Sequence, residues 1–227
     1  MSTARFKDLC VDVACPSEMA AFWGRVIGLT QPADNPNVLV GDVPEKTVWM
    51  CKVPETKTVK NRVHLDVIAG GIADLERAGA TIQTQESEDQ PWTVLQDPEG
   101  GEFCGFVRET VPAYRLMELI VDSADPAAQA EWWANLVGGE VNSRDGRPYH
   151  WLENVPGMPF RYWVFNPVPE KKTVKNRVHW DVTAPALQPV LDAGATLLRP
   201  KDDEIGWHIC ADPDDNSSIV RTKVLTR

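Results

Sequence analysis

Long apolar runs, paired cysteines and a basic surface are all missing from this 227-residue sequence. The opening residues, MSTARFKDLCVDVACP, carry Arg5, Lys7 and Asp8 without an extended apolar stretch. Neither a signal peptide nor a transmembrane span is therefore expected. The five cysteines (Cys10, Cys15, Cys51, Cys104, Cys210) are an odd number without CxxC spacing. That suits reduced thiols in a cytoplasm better than a disulfide framework, so a cytoplasmic location is expected. A net charge of −10 argues against nucleic acid or an anionic membrane as partner, since both repel an acidic surface. No GxSxG, Walker or GxGxxG signature occurs, so the usual nucleophile-elbow, P-loop and dinucleotide-binding readings have no support. Histidine is scarce, at four residues.

What the chain does have is repetition. KTVKNRVH occurs at Lys57–His64 and again at Lys172–His179. Extending outward, Val53–Val67 pairs with Val168–Val182 at a shift of 115 residues, which holds through Ala78–Thr81, Trp92 and Asp97-Pro98. Upstream the shift becomes 110, pairing LCVDVACP with LIVDSADP and Phe22-Trp23 with Trp132-Trp133. The chain reads as two homologous segments, 1–112 and 113–227, meeting in RETVPAYR.

A finer rhythm runs through each segment. KDLCVDV alternates as a half-buried strand. Ser17 is placed to cap a helix that carries Met19, Phe22, Trp23, Val26 and Ile27 at helical spacing and stops at Gly28. Strand-like residues follow, and then the order restarts: RVHLDV, a short helix ending in AGA, then TIQT, WTVLQ and EFCGFV, with DPEGG as a hairpin turn. Strand, helix, strands, four times over, predicts an α+β fold with sheets on one side and helices on the other.

The helix with FW, its glycine stop, the strand NRVHLDV, the AGA and the DPEG turn, recurring in this order, resemble the vicinal oxygen chelate superfamily. This is the glyoxalase, bleomycin-resistance and dioxygenase group, and the glyoxalase-like branch is the nearest in pattern. The resemblance implies four βαβββ modules in two tandem cups with helices on the convex face, a covalent pseudo-dimer. It also implies a small organic molecule as partner, with the chain a monomer or a homodimer. The family's metal positions, carried over residue by residue, fall on Asp8, His64, Glu118 and His179. The position of its closing glutamate falls on Cys104 and Ile219, so each segment presents only half a ligand set.

If each segment builds its own cup, strand alternation puts Asp8, Cys10, Asp12, Arg62, His64, Asp66, Glu102 and Cys104 on the face of the first. Three readings compete for these residues. In the structural one, Arg62 and Arg177 pair with inward aspartates, and Lys57–Arg62 is a joint between modules. In the second, Asp8 and His64, helped by Cys10, Cys104 or Asp66, hold zinc, iron or manganese for a lyase, isomerase or dioxygenase reaction in the first cup. In the third, His64 acts as general base with Asp66 orienting it. The second cup is expected to be aromatic, with Trp151, Trp163 and Trp207 beside His179, while Trp180 faces the helices. Asp12, Arg62 and Cys104 are the expected ligand contacts in the first. The incomplete metal set favours a small-molecule-binding protein of the bleomycin-resistance type, with a mostly apolar pocket.

Overall fold

The computed structural model describes residues 2–222. The first module is β1 (Arg5–Val13), α1 (Pro16–Ile27), β2 (Val38–Leu39) and β3 (Val48–Lys52). The second is β4 (Val63–Ala69), α2 (Ile72–Ala78), β5 (Thr81–Thr84), β6 (Thr93–Gln96) and β7 (Glu102–Val107). The third repeats the first as β8 (Leu116–Ser123), α3 (Pro126–Val137), β9 (Glu140–Ser143), β10 (His150–Glu153) and β11 (Tyr162–Pro167). The fourth repeats the second as β12 (Val178–Ala184), α4 (Gln188–Asp192), β13 (Thr196–Arg199), β14 (His208–Ala211) and β15 (Ser217–Thr222). The fold is α+β, as expected. None of the described helices is long and apolar enough to cross a membrane.

The modules do not pair within their own segments. One sheet of seven strands runs β13-β14-β15-β12-β1-β3-β2, and the other of eight runs β5-β6-β7-β4-β8-β11-β10-β9. The first module thus shares its sheet with the fourth, and the second with the third. The joints are antiparallel: β1 against β12, and β4 against β8. Each carries a bulge at the same place in the repeat, at Lys7 (between Phe6 and Asp8) and at Met117 (between Leu116 and Glu118). A bulge re-aims the neighbouring side chains, and both sit beside the acidic residues that begin the polar faces.

Alternation makes one face of each sheet apolar, and both apolar faces join a single core around α1 and α3. Trp133 of α3, Trp163 of β11 and Trp180 of β12 meet there, with ring centroids 4.8, 4.9 and 5.3 Å apart. Since β11 and β12 belong to different sheets, this cluster fastens one sheet to the other.

The helix ends show how the modules lock together. α1 begins with Pro16 behind Cys15, which provides no side-chain cap. Ser17, expected as the cap, lies inside the first turn instead. The orphan N–H groups of Ala14 and Cys15 donate to the carboxylate of Glu99, from the DPEGG turn, at 2.8–3.0 Å. α3 has its own cap, Asp125, which accepts from Ala128 N at 3.1 Å. Asp214 in the matching turn also accepts from Ala124 N at 3.1 Å. Gly28 ends α1 at φ 76°, and a Cβ there would lie 1.9 Å from the carbonyl oxygen of Ala113, so only glycine fits.

Candidate functional site

Each sheet has a polar face opposite the shared core. On the eight-stranded sheet, Asp66 stands directly opposite Glu118, His64 opposite Ile120, and Cys104 beside Asp66 on the parallel strand β7. The same face continues through Val164 to Trp151 on one side and to Val94 on the other. The seven-stranded sheet repeats the arrangement with Asp8 opposite Asp181 and Cys10 opposite His179.

This pairing corrects the expected cups. Asp8 and His64 lie on different sheets and do not form one site; Asp8 belongs with His179, and His64 with Glu118. The expected aromatic cup does not form either. Trp163 is fully buried in the core cluster, because its partner across β8 is the core residue Leu119. Trp151 lies on the eight-stranded sheet, where its indole N–H donates to Glu153 at 2.7 Å. Trp207 is at the other sheet, with the Arg221 guanidinium 4.5 Å above its ring. Trp180 faces the helices, as alternation predicts.

On the eight-stranded sheet, His64 Nε2 lies 3.5 Å from Asp66 Oδ1, and one ligand atom from each of His64, Asp66 and Cys104 lies within 4.8 Å of the other two. Asp66 Oδ1 is buried yet has no hydrogen-bond partner among the described residues. Burial pushes the Asp66 carboxyl well above the usual range, and the neighbouring Glu118 charge adds to this. Burial also lifts Glu118 to about 7, against the opposing pull of Arg108 and Arg161. His64 is lowered to about 4, again mainly by burial, so its imidazole is neutral near pH 7. The Cys104 thiol is raised by burial and by Asp66 beside it. At neutral pH this face holds a neutral imidazole, a thiol and two carboxyls that resist ionisation.

The seven-stranded sheet is more tightly closed. Cys10, His179 and Asp181 form its donor cluster, with Asp181 at 0% exposure. Burial raises Asp181 to about 6, with the Asp8 charge adding to it. Asp12 goes the other way: burial opposes its charge, but His179 Nε2 at 3.6 Å and Lys175 Nζ at 2.5 Å outweigh that and hold its carboxyl low.

The two arginines also differ from expectation. Arg62 donates to the backbone carbonyls of Glu170 at 2.8 Å and Asp122 at 3.1 Å rather than to an aspartate side chain. Arg177 donates to the carbonyl of Glu55 at 2.9 Å and lies 3.5 Å from Glu99. The aspartates are taken by lysines: Lys60 holds Asp122 at 2.8 Å and Lys175 holds Asp12. Sequence reasoning placed Lys60 in the joint between modules, shaping the turn into the strand, and gave neither lysine an aspartate partner; the signal was identical placement in both copies of the repeat.

Two sheets assembled from four modules, three of them βαβββ and the first with one strand fewer among the described residues, each sheet with a polar face that begins on the first strands, define a class. The glyoxalase-like domain family matches residues 8–106 and 118–220, so the chain belongs to the glyoxalase-like family, with two tandem copies of its domain. Glyoxalase I from Zea mays superposes with a TM-score of 0.68 at 14% identity, covering 96% of this chain and 92% of that one. A candidate dioxygenase from Bacillus subtilis superposes with a TM-score of 0.65 at 14% identity, covering 97% and 86%. At such identities these likenesses show the fold alone. No curated protein matches the sequence.

Proposed function

We propose that the protein binds a small organic molecule on the polar face of the eight-stranded sheet. The supporting observation is Glu118, a half-buried carboxyl held near pKa 7 between Asp66 and Tyr162, on the same sheet face as Ile120, Val164, Val94 and Trp151. A few polar groups set in an apolar and aromatic wall suit a compact, largely uncharged ligand. Glu118 would anchor it by hydrogen bonding, donating while protonated, and neutral His64 would donate or accept beside it. Quenching of tryptophan emission by the uncharged dye N-phenyl-1-naphthylamine tests this reading. Quenching should saturate in the parent protein and weaken at least tenfold in Trp151→Leu. Equal quenching by both would place the ligand elsewhere.

The donor chemistry favours a second reading, in which the same face serves a divalent metal for a lyase, isomerase or dioxygenase reaction. His64, Asp66 and Cys104 offer nitrogen, oxygen and sulfur donors in one cluster, and the orphaned Asp66 Oδ1 is the kind of atom a cation would satisfy. The residues fit zinc better than a hard cation, which prefers oxygen ligands throughout. When bound, such an ion acts as a Lewis acid toward a substrate oxygen. Glu118, across from Asp66, would hold or move a proton at its carboxyl oxygen. Elemental analysis of protein purified without chelator separates the readings. Stoichiometric metal that is lost in His64→Ala supports the enzyme, whereas its absence from both proteins leaves the binder.

A further inference from the structure

The two copies of the repeated segment meet in space. Residues 53–62 lead from β3 to β4 and residues 168–177 from β11 to β12, so each crosses from one sheet to the other. Together they line a cavity of about 1030 Å³. The cavity lining carries six Lys and Arg residues against four carboxylates, Asp12, Glu55, Asp122 and Glu170, a net positive balance in a chain whose net charge is −10. A concave site with a net excess of one sign of charge favours ligands of the opposite sign.

The cavity walls are braced before any ligand arrives. Arg62 is hooked on the carbonyl of Glu170 and Arg177 on that of Glu55, each from one segment to the other. Groups already fixed in place lose little freedom on binding. Asp12 and Asp122, which reach the cavity from β1 and β8, are held by Lys175 and Lys60. Each ammonium has three N–H donors and uses one here, and the two lysine side chains are 60% and 65% exposed. Two repeat-related ammonium groups with free donors thus border one cavity of the size that takes a small molecule.

We propose that this cavity is a binding site for a small anion carrying phosphate or carboxylate groups at two ends, held between Lys60 and Lys175. It is separate from the sheet face proposed above and does not depend on that reading. Titration calorimetry of the intact protein with inorganic pyrophosphate, and separately with succinate, tests it and distinguishes the two anion chemistries. One saturable site is expected for at least one of them, weakening as salt is raised. The paired variants K60M/D122N and K175M/D12N remove a lysine together with its aspartate, so net charge is kept and no buried carboxylate is stranded. Each should weaken binding at least tenfold, while K201M, an exposed lysine elsewhere, should not. Val174, 43% exposed on the cavity wall, provides a variant that need not disturb the fold, and Val174→Trp should block binding. Absence of saturable binding with both anions, or undiminished binding in Val174→Trp, would overturn the proposal.

Discussion

Asp66 faces Glu118 across the antiparallel joint of β4 and β8, so two carboxyls from different segments of the chain share one half-closed face. Among the described residues neither forms an ion pair with a Lys or Arg, and both resist ionisation because burial penalises their charge.

A pH dependence follows for Glu118. Unfolded, its carboxyl titrates near 4.5; folded, near 7. Between those values the folded state holds the proton more tightly, so the stabilisation is fully present below about pH 4.5 and is lost as pH rises through 7. The loss is about 3 kcal/mol. Urea midpoints should fall between pH 5 and 8 in the parent and fall less in Glu118→Gln, which should be the more stable at pH 8. Parallel profiles would refute this.

Glu99 caps a helix that its own module leaves bare. Glu99→Ala leaves the exposed N–H groups of Ala14 and Cys15 to water and should cost about 1 kcal/mol. Asp125→Ala at α3 should cost less, because Asp214 still accepts from Ala124. Chemical denaturation of the two variants checks the order.

The tryptophans divide by face. Trp163→Ala opens the cluster shared with Trp133 and Trp180 and should cost about 3–5 kcal/mol. Trp151→Leu should cost under about 1.5 kcal/mol, since its ring is only partly buried. Its effect should fall on ligand affinity instead. Thermal melts with and without the dye separate the two.

Thiol reactivity should follow exposure. Cys15 is exposed, Cys51 intermediate, and Cys10, Cys104 and Cys210 are buried. Burial and Asp66 raise the Cys104 thiol, and Cys10 is raised too, first by its neighbour Cys51. At pH 8 a thiol reagent should label Cys15 first and Cys51 more slowly, leaving the other three until the protein unfolds. Mass spectrometry of the labelled peptides would show the order, and early labelling of Cys104 would contradict the structure.

Much of this was legible in the chain because strand alternation is a local property. It set His64 and Asp66 on one face and Trp180 on the other, and the duplicated motifs gave the modules their order. RYWVFN defeated it. Aromatic rings occupy both parities of that stretch, Tyr162 on the polar face and Trp163 with Phe165 in the core, so alternation could not say which side is buried.

By itself, then, the sequence determined the repeat, the module order and which residues share a strand face, since side-chain period and turn chemistry act over a few residues. Only the tertiary structure decided which modules share a sheet. Pairing of β1 with β12 and β4 with β8 rests on contacts distant in the chain, and no local pattern encodes them. That choice separated Asp8 from His64 and set Glu118 against Asp66. It also brought the two KTVKNR segments together, with Lys60 on Asp122 and Lys175 on Asp12, each aspartate from the other half of the chain.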